Sequence, residues 1–215
     1  MSDEPRFSYS SAIFECQTVD AAKQIILTAG SIEEVEAHWR EDTPVLAAQL
    51  RQHLKLESEH RVMDFGCGIG RLAKPLVEVP GCHVVGVDIS ASMRRMAVDY
   101  VGSSRFSVAA PDEIFPRRAD DPGFDAAYAL LVIQHCQDPE KELQRISDSL
   151  KPTRHFVLVN STRRWLPTDK GWASDSIDVL QLASRILRRE GMFQPPRAST
   201  PGGAEAHYGA VFTRR

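Results

Sequence analysis

Residues 62–71 read VMDFGCGIGR, a short apolar run followed by glycines at positions 66, 68 and 70, with Asp64 just before them. Glycine tolerates positive φ and lets a ligand come close to the backbone, because it has no Cβ atom. When such a bend leads from a strand into a helix, its backbone amides lie at a helix N-terminus, which carries partial positive charge. The stretch therefore predicts a ligand-binding bend after the first strand of a sheet.

Five short segments, including this one, are apolar and rich in β-branched or aromatic residues, and helical segments separate them. They are RVMDFG (61–66), HVVGVDI (83–89), RFSVAA (105–110), FDAAYALLVI (124–133) and HFVLVN (155–160). Ser90, and Asp138 followed by Pro139, predict the starts of two intervening helices. Apolar strands that alternate with helices are typical of a doubly wound, mostly parallel α/β sheet with right-handed crossovers.

The first 60 residues predict a helical region. SIEE, from Ser31 to Glu34, has the form of a capping box and predicts a helix that runs through Trp39. Thr43 followed by Pro44 predicts a second helix start, with the threonine as N-cap and proline at the first helical position. We expect these helices to cover the sheet.

The region after residue 160 predicts a loop, a helix and a hairpin. The helix is expected from about Ser174 to Glu190, with Gly191 as its C-terminal stop. The segments GMFQPPRAS (191–199) and HYGAVFTRR (207–215) flank the turn-rich TPGGAEA (200–206) and look like a hairpin. Because Pro195 and Pro196 cannot donate to a strand ladder, the first of the two strands is expected at a sheet edge.

Size and composition indicate one globular domain. The 215 residues suffice for a single core, and a mean hydropathy of -0.28 with 26% charged residues is ordinary for a soluble protein. We expect a helical cap (1–60), a ligand-binding core (61–160) and a substrate-side region (161–215) within it. The longest apolar run, residues 126–133, is far shorter than the roughly 20 residues that span a bilayer, and the N-terminus lacks the signal-peptide pattern. The expected location is cytoplasmic, without a membrane partner.

Cysteine spacing and charge give further expectations. The four cysteines, at positions 16, 67, 82 and 136, form no CxxC pair, so neither a metal site nor a disulfide framework is expected. From Lys151 onward there are 11 Lys and Arg against 5 Asp and Glu, although the whole chain has a net charge of -3. A basic last third can recruit an anionic substrate, or it can be an ordinary solvated surface.

The acidic residues around the glycine bend indicate the kind of ligand. Asp88 follows the second strand, where a carboxylate can accept both hydroxyls of a ribose. The bend reads GxGxG, with Arg71 where a dinucleotide fingerprint has its last glycine, which counts against a nicotinamide-dependent oxidoreductase. Asp64 would repel a phosphate, but it can hold an α-amino group directly or through water. These features predict a nucleoside that bears an amino acid.

The sequence resembles a known family, the class I S-adenosylmethionine-dependent methyltransferases. The resemblance lies in VMDFGCGIG (62–70), GVDIS (86–90) and residues 124–160. The likeness is greatest to their small-molecule, methyltransferase type 11-like branch and covers about residues 60–160. It implies a Rossmann-like, seven-stranded doubly wound sheet, mostly parallel, with a C-terminal antiparallel hairpin and an N-terminal helical extension. It also implies S-adenosyl-L-methionine as cofactor and S-adenosyl-L-homocysteine as product.

The resemblance implies roles for individual residues in cofactor binding. Gly66 and Gly68, with Asp64 and Cys67, would cradle the methionine part, and Asp88 would hold the ribose. Ile89 and Met93 would lie against the adenine, and Pro111, Asp112 and Leu131 are further cofactor-binding candidates. The family often has an acid that contacts the adenine amino group after the third strand. Here a proline takes that position and the acid follows one residue later, so either a shifted turn or backbone groups would make the contact. For the isoleucine and the methionine, core packing is an equal alternative.

The chemistry implied is an in-line displacement, to which an enzyme contributes chiefly by alignment and by excluding water. A hydroxyl or ammonium acceptor must also lose a proton. His135, just beyond the fourth strand, is the candidate general base. Alternatively, Gln134 and His135 line the pocket or satisfy backbone groups.

Residues for the methyl acceptor are expected outside the core. Trp39 and Arg40 are candidates in the N-terminal helices, and STRRWLPTDKGW (161–172) supplies the others. In that loop Trp165 and Trp172 could stack on a flat substrate, while Arg163 and Arg164 meet its negative charge. The tryptophans could instead simply anchor the loop. The expected partner is a small-molecule methyl acceptor, either anionic or aromatic.

Two other functions compete with this interpretation. RNA or protein methylation would use the basic last third, but the chain lacks an appended nucleic-acid domain and the Asn/Asp-Pro-Pro-aromatic and Pro-Cys motifs, so nucleic acid is not expected. A non-catalytic S-adenosylmethionine-binding regulatory module is the other. The sequence leaves open which acceptor atom (O, N, C or S) is methylated, and it leaves open the oligomeric state.

Overall fold

The computed structural model describes residues 8–28, 31–196 and 207–215. The helices are α1 (Val19–Leu27), α2 (Ile32–Leu54), α3 (Ala73–Glu78), α4 (Ala91–Val101), α5 (Pro111–Ile114), α6 (Pro139–Ser149) and α7 (Val179–Ile186). The strands are β1 (Arg61–Phe65), β2 (His83–Val87), β3 (Phe106–Ala109), β4 (Phe124–Leu130), β5 (Leu150–Ser161), β6 (Leu166–Thr168), β7 (Gly171–Ala173), β8 (Arg188–Phe193) and β9 (His207–Thr213). Two 3₁₀ turns occur, at Ser11–Phe14 and Ile133–His135. The five strands predicted for the core are present as β1 to β5.

Seven of the strands form one sheet in the order β3-β2-β1-β4-β5-β9-β8. The first five are parallel, and β9 pairs antiparallel with both β5 and β8. The chain steps outward from β1 to β3, then crosses back to β4 on the other side of β1. The predicted doubly wound, Rossmann-like sheet with a C-terminal hairpin is confirmed. Its strand order reverses between β1 and β4, and a ligand site is expected at the carboxyl ends of these strands.

Apolar helix faces cover both sides of the sheet. Leu46, Leu50 and Leu54 recur at every fourth position of α2 and are buried against strand residues such as Val62. On the opposite face, Leu143 of α6 packs in a second cluster with residues of α7, β5 and β9. The sheet thus lies between two layers of helices, and it supports the loops at its carboxyl edge.

The predicted capping box at the start of α2 is confirmed, because the Ser31 hydroxyl accepts the Glu34 amide and the Glu34 carboxylate accepts the Ser31 amide. The second helix start predicted at Thr43 and Pro44 is wrong, since α2 continues to residue 54 with the proline inside it. Thr43 donates its hydroxyl to the Trp39 carbonyl one turn earlier. An internal proline costs about 3 kcal/mol. Burial of the leucines that follow it offsets this cost.

The helix predicted from Ser174 to Glu190 is much shorter in the structure. Asp178 caps its start by accepting the Gln181 amide at 2.9 Å, and α7 ends at residue 186. The chain then becomes β8, because its backbone pairs with β9, and Gly191 lies within this strand at a register shift instead of ending a helix. β8 is an edge strand as predicted, but Pro195 and Pro196 follow its last residue. The predicted turn 200–206 lies outside the described residues.

Two further findings concern membrane-spanning helices and the cysteines. In the part of the chain that the structure describes, no helix has both the length and the apolar character needed to span a membrane. The four cysteines are free thiols; three of them are buried and Cys136 is half-buried.

Candidate functional site

A cavity of about 1670 Å³ opens at the carboxyl ends of β1, β2 and β4, where the strand order reverses. Its base includes the glycine bend and Asp88. One side is formed by residues before and within α1, and the other by the segments that follow β4 and β5. The cavity thus occupies the position at which open α/β sheets bind their ligands.

The glycine bend is shaped by packing on both of its sides. Gly66, Gly68 and Gly70 all have positive φ, at +77°, +52° and +80°. A Cβ atom on Gly66 would lie 2.4 Å from the Val132 side chain, and one on Gly68 would lie 2.8 Å from Ile26. Both glycines line the cavity, whereas a Cβ on the third would meet α4. Only the first two therefore expose backbone to a ligand.

Asp88 is held rigidly at the end of β2. Its Oδ2 accepts the Gly68 amide and its Oδ1 accepts the Ser90 amide, both at 2.8 Å. Burial raises the pKa of its carboxyl group, while the two amide hydrogen bonds oppose the rise. Each carboxylate oxygen keeps a free lone pair, because an ionised carboxylate has about four acceptor positions. The group can therefore accept two further hydroxyls.

The other predicted cofactor-binding residues divide into two sets. Those that line the cavity are Ile89, Met93, Pro111 and Leu131. Asp112 does not line it, because its side chain is 95% exposed and lies 3.8 Å from an arginine of α6. The proline that opens α5 stands in the wall where the family usually has an acid. The cavity wall at this edge therefore contains Pro111 and not the carboxylate of Asp112.

Asp64 and Cys67, predicted to cradle the methionine part, lie behind the bend and not in the cavity wall. Asp64 is 4% exposed, and burial raises its pKa to about 7. Burial also raises the pKa of the Cys67 thiol, and this side chain packs against Gly86 of β2. The wall at this point consists of the bend's backbone, so neither side chain is available for direct contact with a ligand.

His135 lines the cavity in a fixed orientation. Its Nδ1 is 2.6 Å from the Trp165 carbonyl oxygen, which only accepts, so Nδ1 carries the proton. Its Nε2 is 3.1 Å from the Gln134 amide nitrogen, and the oxygen of that amide accepts the Ser161 backbone N–H at 2.6 Å. Burial lowers the pKa of the imidazole, and the charge of Arg164 acts in the same direction. The ring is therefore neutral at pH 7.

The ring of His135 is one of three rings from separate segments that meet in the cavity wall. The His135 ring centroid is 5.8 Å from that of Phe14 in the first 3₁₀ turn and 5.2 Å from that of Trp172 in β7. The phenylalanine and the tryptophan are 6.4 Å apart. Trp165 also lines the cavity and is 42% exposed. The rings of Phe14, His135 and Trp172, which we call the ring cluster, make a wall suited to a planar ligand.

Residues 8–16, which we call the strap, cross the cavity from one side to the other. At the first end, Ser10 donates its amide to the Pro167 carbonyl at 3.0 Å, and Asp169 donates its amide to the Ser8 carbonyl at 3.0 Å. These bonds add the strap to the hairpin of β6 and β7. The middle of the strap places Phe14 in the ring cluster.

The second end of the strap is bound to the start of α4. The Glu15 carboxylate accepts the Ala91 amide at 3.0 Å and the Ser92 amide at 3.1 Å. The Cys16 amide donates to the Ser92 hydroxyl at 3.0 Å. The hydrogen bond from the Ser92 hydroxyl is the main cause that lowers the pKa of Glu15. One segment thus contacts both the helix beside Asp88 and the hairpin beside His135.

Two predicted acceptor-binding residues lie outside the cavity. Trp39 is buried, donates Nε1 to the Tyr100 hydroxyl at 2.9 Å and lies under the Arg71 guanidinium. Arg40, on the next position of α2, faces solvent and lies 3.4 Å from Glu41. Because α2 is one continuous helix, it holds both side chains away from the cavity.

The loop after β5 contributes some of its predicted residues. Arg163 and Trp165 line the cavity. Arg164, expected to meet a substrate's negative charge, is buried instead and donates to the Asp175 carboxylate and the Cys136 carbonyl. Its charge is thus used to hold the loop against the segment that carries His135.

The strap and α1 are the parts of the site that the sequence analysis missed. Residues of the wall that it did not identify include Ile13, Phe14, Glu15, Ile25 and Lys141. The stretch 8–16 has no glycine pattern, paired acids or amphipathic period, and its partners are about 76 to 161 residues away. Without such a pattern, only tertiary contacts reveal its role.

The fold and this site define a class I S-adenosylmethionine-dependent methyltransferase, with a glycine bend after β1 and a fixed carboxylate at the end of β2. A family model described as a methyltransferase domain matches residues 37–198, most of the chain. The chain belongs to this family of methyltransferase domains.

Comparison with individual proteins agrees with the family. The ubiquinone biosynthesis O-methyltransferase of Rhodopseudomonas palustris (strain TIE-1) is 32% identical over 151 residues, which cover 68% of this chain and 55% of that protein. The chain therefore corresponds to little more than half of this curated relative.

Two solved structures show the same fold. A putative sarcosine dimethylglycine methyltransferase from Galdieria sulphuraria has a TM-score of 0.65 and 17% identity, with 87% of this chain and 89% of that chain covered. The N-methyltransferase NodS from Bradyrhizobium japonicum WM9, in complex with S-adenosyl-L-homocysteine, has a TM-score of 0.60 and 19% identity, with coverage of 85% and 97%. At these identities the likeness is one of fold.

Proposed function

We propose that the protein transfers a methyl group from S-adenosylmethionine to a hydroxyl of a small, planar acceptor. The observation that carries the proposal is one continuous cavity, with Asp88 and the glycine bend at one end and the ring cluster at the other. The O-methyltransferase name of the curated relative supports oxygen as the acceptor atom.

The residues at the first end fit the cofactor. The free lone pairs of Asp88 match the two hydroxyls of a ribose, and the bend presents the backbone of Gly66 and Gly68 to the cavity beside it, where the methionine part can lie. Ile89 and Met93 offer apolar surface for the adenine. When bound, the cofactor supplies a sulfonium-activated methyl group, so the protein itself needs to supply orientation.

The residues at the second end would align the acceptor and exclude water. A planar ring can lie against Trp172 and Phe14, with offset or edge-on contact. The strap closes this side of the cavity. Holding the acceptor oxygen in line with the methyl group lowers the entropic cost of bringing the two reactants together. This is the main contribution that such an enzyme can make to the rate.

His135 is the candidate group for the acceptor proton. Its neutral state at pH 7 suits a base, and Nε2 is the nitrogen with a lone pair. Gln134 occupies that lone pair in the structure, so we propose that the acceptor hydroxyl displaces the Gln134 amide from Nε2 before it transfers its proton. The alternative role, in which the histidine only lines the cavity, predicts a different pH profile.

Calorimetry and a transfer assay together test the proposal. Titration with S-adenosylmethionine and S-adenosylhomocysteine should show binding that Asp88→Ala weakens, and Arg95→Gln, an exposed change on α4 outside the cavity wall, should leave it intact. Labelled cofactor should then methylate members of a catechol and phenol panel. Failure to bind either compound refutes the proposal. Binding without transfer to the panel would favour a regulatory module, and labelling of RNA would favour the other enzyme class.

A further inference from the structure

Arg71 is a buried cation in the cavity wall, directly after the glycine bend. It follows Gly70, lines the cavity and is 4% exposed. Burial lowers the pKa of its guanidinium to about 10, so the side chain is still charged at pH 7. A charge in such a place is costly unless other groups compensate it. Its partners therefore show how far the protein alone accounts for this charge.

Two of the three guanidinium nitrogens of Arg71 are bound to α2. Nε donates to the Thr43 hydroxyl at 2.8 Å, and Nη2 donates to the His38 carbonyl oxygen at 3.2 Å. The guanidinium carbon lies 5.1 Å from the centre of the Trp39 ring. Because the guanidinium is planar and rigid, these contacts also fix the direction of its third nitrogen.

The third nitrogen, Nη1, is left for a ligand. Across residues 8–28, 31–196 and 207–215, Nη1 donates no hydrogen bond and Arg71 forms no ion pair with a carboxylate. The charge of Asp42 raises the pKa of Arg71, but only from beyond ion-pair distance. Nη1 remains accessible although the residue as a whole is nearly buried. Since Arg71 lines the cavity, a ligand there can reach this donor.

The carboxylates that line the cavity are engaged elsewhere. Glu15 accepts amides at the start of α4, and Asp138 and Glu142 have their partners in α6. Asp88 accepts two backbone amides. Within the described ranges, none of the four forms an ion pair with Arg71. The wall therefore leaves the charge of this arginine without an anion.

Arg71 belongs to the end of the cavity that fits the cofactor. The Asp88 carboxylate accepts the Gly68 amide at 2.8 Å, and Arg71 follows that glycine by three residues. A nucleoside with its ribose on Asp88 therefore has its amino-acid part beside the segment that carries Arg71. Lys141 and Arg163 also line the cavity, but they lie on the segments that follow β4 and β5.

We propose that Arg71 binds the α-carboxylate of the cofactor's methionine part through Nη1. This inference rests on the use of S-adenosylmethionine in the proposed function and adds a residue to its binding site. The carboxylate supplies the acceptor that Nη1 lacks, and a charge-assisted hydrogen bond is stronger in a buried place than in water. Thr43 and Trp39 of α2 then act on the cofactor indirectly, because they hold the guanidinium in place.

The experiment compares two probes that differ in one carboxylate, S-adenosylmethionine and decarboxylated S-adenosylmethionine. Each is titrated by calorimetry into the whole protein at pH 7. We expect S-adenosylmethionine to bind about 10-fold to 100-fold tighter, because the decarboxylated compound loses a hydrogen bond between two charged groups. Arg71→Gln should remove most of this preference. Lys141→Gln, which removes another cation of the cavity wall, is the matched control and should keep it.

The ratio of the two affinities distinguishes a bond to the carboxylate from a purely structural role. Loss of the contacts between Arg71 and α2 would weaken the binding of both compounds by the same factor, whereas loss of the carboxylate bond weakens only one. Arg71→Lys is the second variant, for the case that Arg71→Gln does not melt cooperatively. Its preference should be smaller than that of the wild type, since lysine keeps the charge but not the planar fork.

The outcomes separate this inference from the function on which it rests. If neither compound binds the wild type, the proposed function fails first. If both bind it with equal affinity, the carboxylate contact is refuted while cofactor use stands. A preference that persists in Arg71→Gln, or that keeps its full size in Arg71→Lys, refutes the assignment to Arg71. Equal weakening of both compounds by Arg71→Gln, or loss of the preference in Lys141→Gln, refutes it as well.

Discussion

The side-chain amide of Gln134 donates to Nε2 of His135 at 3.1 Å, so the nitrogen that could accept a proton is already hydrogen bonded. The same glutamine is fixed by the Ser161 amide, and the other imidazole nitrogen is fixed by the Trp165 carbonyl. The histidine is thus held as one tautomer. This arrangement makes the base assignment testable through pH as well as through mutation.

If His135 is the base, His135→Ala should lower kcat by roughly 10² to 10⁴ with cofactor affinity nearly unchanged. Because burial lowers its pKa, the wild-type rate should stay level through neutral pH and fall only below about 6.5, as the imidazole gains a proton. Measuring kcat against pH for both proteins checks this. A raised KM with an unchanged kcat would identify a pocket-lining residue instead.

Asp88→Ala should weaken S-adenosylmethionine binding by on the order of 10-fold to 100-fold, because two charge-assisted hydrogen bonds to the ribose are lost. The affinity of Asp88→Asn for S-adenosylmethionine should lie between those of Asp88→Ala and the wild type, since asparagine keeps one oxygen to accept the Gly68 amide. Calorimetry on protein with a normal melting curve gives the values. Equal affinity in all three proteins would remove the ribose role.

Gly66→Val and Gly68→Val should abolish the thermal stabilisation that S-adenosylhomocysteine gives, while much of the sheet remains folded. A new Cβ at Gly66 would lie 2.4 Å from Val132, and one at Gly68 would lie 2.8 Å from Ile26, so each would displace a side chain that lines the cavity. Gly81→Val is a matched control, because Gly81 also has positive φ, at +86°, but has no neighbouring atom within 4 Å of a new Cβ. Stabilisation that persists in both cradle variants would place the cofactor elsewhere.

Asp64 should make stability fall as pH rises. Its pKa is about 7 in the folded protein against 3.8 in the reference state, so the folded state binds more protons between these values. The free energy of unfolding therefore decreases from about pH 4 to pH 7, by on the order of 4 kcal/mol from this group. Asp64→Asn should match the wild type near pH 4 and gain a higher Tm than wild type above pH 7. A Tm difference independent of pH would contradict this.

Local signals explain which parts of the fold and site could be predicted. The glycine bend, Asp88 and the helix caps at Ser31 and Ser90 depend on residues close in sequence, and the structure has each of these caps. The helix start predicted at Thr43 and Pro44 was wrong because the leucines that follow the proline in α2 pack into the core. Tertiary burial outweighed a local stop signal there.

Long-range pairing explains the rest. Residues 188 and 189 fall within the predicted helix but pair with β9, which follows them only after residue 206. Glu15 contributes to the site through bonds to Ser92, 77 positions away. No spacing rule along the chain reports such contacts, so the strap could be recognised only from the fold.

The strap has a consequence for steady-state kinetics. Since it is bound at one end to the helix beside Asp88 and at the other to the β6–β7 hairpin, the strap links the cofactor end of the cavity to the acceptor wall. We therefore expect a compulsory order in which the cofactor binds first and S-adenosylhomocysteine leaves last. Product inhibition would then be competitive against S-adenosylmethionine and noncompetitive against the acceptor, and Glu15→Ala, by loosening one end, should turn this pattern into random order.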